Sequence, residues 1–467
     1  MKAWSSEKIS VLALVMLISG AIDSIRNLPA TAMFGSSLIF YFVFSAIVFL
    51  IPVALVSAEL SSTWAEEEGG VYSWVRSAFG DSFAFFTIWL QWINTMVWYP
   101  TILSFIAGTL AYLIDPELAQ NKFYLISVIL VIFWSLTWLG LSGLRASAKF
   151  VSFCTIAGMI VPMALIIILA LIWFIKGNPL AIDLSWKNLI PSQKDPQSWI
   201  SLTAIMTSFL GMELAAVHVR NVHHPQRNFP RAMFFSVILI LSTMILGSLA
   251  IAVVLPHEEI SLVHGVMQTF TRFFQAYHLT ALMPVIIILL LLGTLGSMVN
   301  WIISPAKGLL LAADNGFLPH WLYRLNPHGI PSRILIMQAI LVTLFCSGFL
   351  LFHSVNAIYW LFTALSTELY IIMYVVMFFA AIRLKKKYAN LPRPFAIPGG
   401  RIGYYLTCML GLSGCIIALI VGFFPPESTM DIGGQTHFRV IFTSGIVLML
   451  IPALILYLRK KLRQNKS

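Results

Sequence analysis

Four ionisable residues lie inside otherwise apolar stretches of this chain. Asp23 and Arg26 stand three apart in "ISGAIDSIRNLPATAMFG" (residues 18–35), Glu213 lies in "TSFLGMEL", and Glu368 lies in "LFTALSTELYIIMY". A charge at the centre of a membrane helix costs roughly 2.5–3.5 kcal/mol, so each needs an offset. Two offsets are open to the first pair. On a continuous helix, positions i and i+3 share a face, and Asp23 could neutralise Arg26 as an ion pair. Alternatively the helix opens between Gly20 and Pro29 onto a polar cavity, where Arg26 would attract a carboxylate and Asp23 an amino group. Glu213 follows Gly211 much as Asp23 follows Gly20. Two glycine-then-carboxylate breaks in corresponding spans of two inverted repeats would mark a central binding site. Half-helix ends there offer N–H groups to a carboxylate and carbonyls to an ammonium, which suits a zwitterion.

The elements that must position these groups follow from composition. Apolar residues make up 59% and charged residues 10% of the 467, and mean hydropathy is +0.89, which describes a polytopic membrane protein rather than a soluble domain. Apolar runs long enough to cross about 30 Å of hydrocarbon occur near 9–34, 36–60, 82–113, 123–141, 145–175 and 199–217. Six more occur near 232–255, 280–306, 334–353, 356–382, 402–424 and 438–458. These twelve predicted spans leave no room for a soluble domain. Of the 29 Lys and Arg, 22 fall in connections on the side of the N-terminus, and the opposite side holds only Lys122, Lys176, Lys187, Lys194, Arg272 and Arg439. The positive-inside rule then places both termini in the cytoplasm. The formal charge of +11 faces an anionic inner leaflet and needs no nucleic-acid partner.

Ile9–Ser19 has the length of a signal-peptide core, but the spans that follow predict a retained helix. Cys154, Cys346, Cys408 and Cys415 all lie in apolar spans without metal-ligand spacing, and His223–His224 lie in a basic loop. Neither a metal site nor a cofactor is predicted.

Longer stretches carry a resemblance: "IPVALVSAELSSTWAEEEGGVYSWV", "SFLGMELAAVHVRNVHHPQRNFPRAM", "GVMQTFT", "NWIISPAKGLLLAADNGFLP" and "RPFAIPGG". Together, in this order along nearly the whole chain, they resemble the bacterial glutamate/γ-aminobutyrate antiporter family of the amino acid/polyamine/organocation superfamily. The resemblance implies an all-α fold of twelve spans with a five-plus-five inverted repeat, broken first and sixth helices, and two additional helices. On this chain the first repeat covers about 9–176, the second about 199–384 and the additional helices about 402–459. It further implies a bacterial inner-membrane amino acid exchanger without a sodium requirement. Its partners are an amino acid, a counter-substrate and membrane lipids, with protons as an alternative coupling species, in a monomer or homodimer.

Carried over residue by residue, the resemblance puts Glu213 on the acidic position of the F-x-G-x-E pattern, with Phe209 and Gly211 before it. Trp301 takes the gate aromatic of span eight. The predicted substrate-binding set is Asp23, Ser24, Arg26, Asn27, Phe209, Gly211, Met212, Glu213, Asn300 and Trp301. The predicted proton-coupling and gating set is Glu213, Glu368, Trp301 and His218. Gln91 and Asn94 of span three line the cavity or an interhelical contact, and Lys149 snorkels to the inner surface.

Three features depart from the family pattern. "DSIRNLP" puts Arg26 and Asn27 where the antiporters carry tyrosines and a glutamate, which leaves substrate choice open between acidic and neutral amino acids. Glu368 is a carboxylate in place of an uncharged residue, a partner for Arg26 or a proton carrier. The sequence ends at "LRKKLRQNKS", without the long tail that plugs acid-activated antiporters, so activity is expected to persist at neutral pH.

Other classes fit less well. An intramembrane enzyme would need a catalytic cluster, and a channel a filter motif. A major-facilitator carrier would lack these charged breaks. Proton-coupled neutral amino acid uptake and a non-transporting amino acid sensor remain as alternatives.

Overall fold

Proline and glycine placement explains why several spans are not single helices. The computed structural model describes residues 10–64, 70–143, 148–191, 199–311, 313, 316–352, 354–426 and 434–464, and among them every regular element is helical. Span one is α1 (Val11–Ile22), an extended Asp23–Ser24, a 3-10 turn (Ile25–Asn27) and α2 (Leu28–Ala32). Pro29 opens α2, where its missing N–H costs nothing. Spans two and five each contain one wide π turn, Ala46–Leu50 between α3 (Leu38–Ser45) and α4 (Ile51–Thr63), and Ile156–Ile160 between α8 (Ala148–Thr155) and α9 (Val161–Ile175). Each π turn ends two residues before a proline, Pro52 or Pro162. The ring cannot accept the carbonyl one turn back, and the extra residue absorbs that clash.

The remaining long helices are α5 (Val71–Phe79), α6 (Asp81–Ala111), α7 (Lys122–Leu141), α10 (Ser201–Thr207) and α11 (Pro225–Ala252). They are followed by α12 (Gly265–Ala276), α13 (Met283–Leu311), α14 (Ser332–Cys346), α15 (Val355–Lys387), α16 (Gly400–Val421) and α17 (Gln435–Gln464). Among the described residues ten helices are long and apolar enough to cross a membrane. Two of the twelve predicted spans are not among them, for different reasons. Helix α6 has 31 residues, about 46 Å at 1.5 Å per residue. It is the bundle's inner helix, packed most extensively on α15, so it faces protein with Trp, Thr, Asn and Tyr rather than lipid with Leu and Ile. Span six is cut short: α10 stops at Thr207, and Gly211, at φ 107°, starts a 3-10 stretch (Met212–Asn221). Only glycine takes that backbone without strain.

Close approach of α8–α9 to α13 relies on two facing glycines. A methyl on Gly158 would overlap the Gly293 backbone, the small-residue contact that lets membrane helices pack without a hydrophobic driving force between them. At one end of the bundle Glu59 of α4, fully buried, accepts from Lys385 Nζ at 2.8 Å, Arg393 Nη1 at 2.6 Å and the Ile397 N–H at 2.8 Å. It thereby clasps α4 to the end of α15 and to the segment entering α16.

Two substitutions test these contacts by thermal unfolding in detergent. Gly293→Leu overpacks the glycine pair and is expected to cost about 3 kcal/mol. Glu59→Ala strands two cations and is expected to cost about 3–5 kcal/mol, whereas a melting curve matching the unsubstituted protein would show the clasp to be idle.

Candidate functional site

Arg26 and Asp23 leave the break in span one toward different neighbours. The i, i+3 face rule holds only on a continuous helix, and here Asp23 and Ser24 are extended, with ψ near 115° and 118°. Arg26, 4% exposed, donates from Nη1 to Thr101 Oγ1 at 3.0 Å and to Tyr359 Oη at 3.4 Å. Its guanidinium lies 5.1 Å from the Trp98 ring centroid, a cation–π contact. Asp23, 3% exposed, accepts from Thr243 Oγ1 of α11 at 2.6 Å. Among the described residues no carboxylate lies within ion-pair distance of Arg26, so the structure shows neither an Asp23–Arg26 pair nor an Arg26–Glu368 pair. Arg26 Nε is buried and unpartnered, as is Asp23 Oδ1.

The Arg26 pole draws in span eight. Trp98 of α6 stacks at a tilt on Trp301 of α13, with centroids 5.2 Å apart, and the neighbouring Tyr99 hydroxyl donates to the Trp301 carbonyl at 2.6 Å. Gln338 of α14 braces the same turn by donating to Ile302 O at 3.1 Å. Trp301 is partly buried, one ring away from the buried cation.

Glu213, 1% exposed, is held from α15. Tyr370 donates to Oε1 at 2.7 Å, Tyr374 donates to Oε2, and Gln91 of α6 approaches Oε1 at 3.5 Å. The Tyr374 oxygen also accepts the Gly211 N–H at 2.9 Å. One phenol thus serves both the free backbone donor at the break and the carboxylate two residues later. Asn94 accepts from Ser366 of α15, completing the α6–α15 seam.

Other predicted residues are placed less centrally. Phe209 and Met212 are fully buried, and Phe209 packs edge-on against Phe42 at 5.7 Å as a core ring rather than a cover. Asn27 is buried and its carbonyl takes the Thr31 hydroxyl, while Ser24 is half-buried. The Glu368 carboxyl lies against Gly422 just past the end of α16, where even a methyl would clash. The side chains of His218, Asn300 and Lys149 lie outside the described residues. Trp98, Thr101, Thr243, Tyr359, Tyr370 and Tyr374 were not anticipated. The tyrosine pair was detectable, because two phenols four residues apart in "ELYIIMYVV" share a helix face.

The two phenols should separate in mutation. Tyr374→Phe strands a buried N–H and a carboxylate oxygen and is expected to cost about 2–3 kcal/mol of detergent-measured stability. Tyr370→Phe, with Gln91 nearby as a substitute donor, should cost about 1 kcal/mol.

Comparison with known proteins agrees with this architecture. An uncharacterized transporter from Legionella pneumophila is 41% identical over 446 residues, covering 95% of each chain. A glutamate/gamma-aminobutyrate antiporter from Lactococcus lactis is 30% identical over 462 residues, covering 98% of this chain and 92% of its own. A probable agmatine/putrescine antiporter from the same species is 24% identical over 99% of this chain and 97% of its own. Residues 9–452 match the amino acid permease family. With that match across nearly its whole length and its many apolar helices, this multi-pass membrane protein belongs to the amino acid permeases.

Proposed function

We propose that this protein is a secondary amino acid exchanger of a bacterial inner membrane, working by alternating access, and that Arg26 selects a substrate with an anionic side chain. In this reading α6 and the broken span six join the ten apolar helices to make twelve spans. The first ten form the five-plus-five repeat, with the breaks of spans one and six lining the central site. Support for exchange comes from the relatives named as antiporters. The observation that carries the substrate class is the buried guanidinium at the first break, with one N–H unpartnered and, among the described residues, no carboxylate in ion-pair distance. A buried cation without a counter-charge is costly. A bound carboxylate supplies that counter-charge, together with charge-assisted hydrogen bonds. Trp98 and Trp301 then form the aromatic wall beside the ligand, and Glu213 holds the second break in shape through α15.

Counterflow in proteoliposomes tests both parts. Vesicles preloaded with unlabelled glutamate should accumulate labelled glutamate, while preloads of serine or arginine should drive little. Arg26→Ala should raise the KM for glutamate roughly ten- to hundredfold, the equivalent of losing one charge-assisted bond. Arg26→Lys should fall between, since an ammonium keeps the charge and loses the planar fork. Equal glutamate preference in Arg26→Ala would remove Arg26 from the site, and no counterflow with any preload would overturn the exchanger reading itself.

A further inference from the structure

Asp23 differs from Glu213 and Glu59 in the donors it receives. Glu213 receives two phenol donors and Glu59 two cations. Asp23 receives one hydroxyl, Thr243 Oγ1, and has a second oxygen that is buried and empty. One turn earlier on α1, Ser19 is 1% exposed and its hydroxyl too is without a partner. Thr243 has a second acceptor within reach, the Leu239 carbonyl at 2.8 Å. A hydroxyl carries one proton, so this geometry serves two states. When Asp23 is ionised, Thr243 donates to it. When Asp23 carries a proton, its O–H donates to Thr243, and Thr243 turns its own proton to the Leu239 carbonyl.

Among the described residues no charged side chain is bonded to Asp23. Arg26, on its own element, is turned to α6 and α15. On α11, Arg227 and Arg231 lie near the start of the helix, Arg231 being twelve residues from Thr243, about 18 Å along the axis. On the 3-10 stretch of span six, Glu213 is turned to Tyr370 and Tyr374; the side chains of His218 and Arg220 there, and of Lys149 on α8, lie outside the described residues. Span five meets α1 through Thr155 at Gly20.

We propose that Asp23, with Ser19 and Thr243, is a proton-binding site that couples proton movement to substrate, separate from the Arg26 pole. This rests on the exchanger reading above. A proton from water on one side binds Asp23 and leaves the first break with the single positive charge of Arg26. An amino acid with net charge −1 then cancels that charge, so the doubly loaded site is neutral as it crosses low-dielectric surroundings. Loss of the proton on the other side restores the aspartate charge and weakens the hold on the anion. Each ligand thus favours the other by the same coupling free energy.

The test uses purified full-length protein in proteoliposomes with trapped pyranine, external labelled glutamate and trapped unlabelled γ-aminobutyrate as a net-neutral counter-substrate that returns without the proton. An outside medium about one pH unit more acid should raise glutamate accumulation about tenfold for one proton per substrate, with pyranine reporting proton entry. Asp23→Asn should lose both the pH-driven rise in accumulation and the pyranine signal. Thr243→Val keeps the acid and removes its relay partner, so pH-driven uptake should persist with a displaced pH midpoint. The proposal is overturned if Asp23→Asn still responds to the pH gradient, or if a sodium gradient replaces the proton gradient in the unsubstituted protein. It is also overturned if Asp23→Asn loses counterflow while Thr243→Val keeps the parent pH profile, since the carboxylate would then be structural. Absence of counterflow in the unsubstituted protein would instead sink the exchanger reading.

Discussion

A helix interrupted inside hydrocarbon has no water to take its freed backbone groups, so neighbouring helices must take them. Much of the bundle's arrangement follows from meeting that demand twice. At the second break the Gly211 N–H is taken by Tyr374, which obliges α15 to run close beside span six with a phenol at that height. At the first break Thr31 returns its hydroxyl to the Leu28 carbonyl at 3.0 Å and meets Ser248 of α11 at 2.6 Å, which ties the restarted helix to span seven. Helices α6, α11 and α15 are therefore more than packing partners. They carry the polar atoms that allow spans one and six to be open, and this is why α6 reads as less apolar than an ordinary span.

The sequence made the element order legible because the signal for a membrane helix is simple: about twenty apolar residues without charge. The breaks were legible for a related reason, since glycine, proline and charge close together inside such a run are tolerated mainly where the helix opens onto protein or a polar cavity. Side-chain direction at the breaks was not legible. The alternative in which Asp23 and Arg26 share a face borrowed helical periodicity for a segment that is extended at Asp23 and Ser24. Glu368 was a candidate partner for Arg26 because both are charges near mid-span, but its carboxyl lies on the α16 side of α15. Tyr359, on the same helix, reaches Arg26 instead. Partners of this kind depend on which face of α15 meets which neighbour, and a helix buried on nearly all sides leaves no amphipathic stripe to orient it.

The Glu59 clasp shows a different limit. Both of its halves lie within stretches that carried the family resemblance, "VSAEL" and "RPFAIPGG", yet neither pattern says that they meet. One carboxylate facing two cations and a backbone N–H is a tightly satisfied cluster, and such clusters hold a register more than they add stability. Its position joins span two to the end of α15 and the entry of span eleven, so α4, α15 and α16 are tied together there. In the proposed exchanger, rocking of one set of helices against the other would pivot away from this clasp, and the π turn at Ala46–Leu50 directly before α4 already interrupts the helical ladder.

The two charges of the first break can then be weighed by what each is tied to. Arg26 is bonded to α6 and α15, and α15 is held by Glu213 to span six and by Glu59 to span two. Among the described residues the Asp23 side chain is bonded to α11 alone. A shift of span seven relative to spans three and ten would therefore change the surroundings of Asp23 while leaving the Arg26 cage intact. In a carrier, the group that must alternate between two aqueous sides needs a movable partner, and the group that recognises the cargo needs a fixed one. In the proposed exchanger, the break in span one would separate these two requirements over three residues, because an extended segment, unlike a helix, can turn neighbouring side chains to opposite walls.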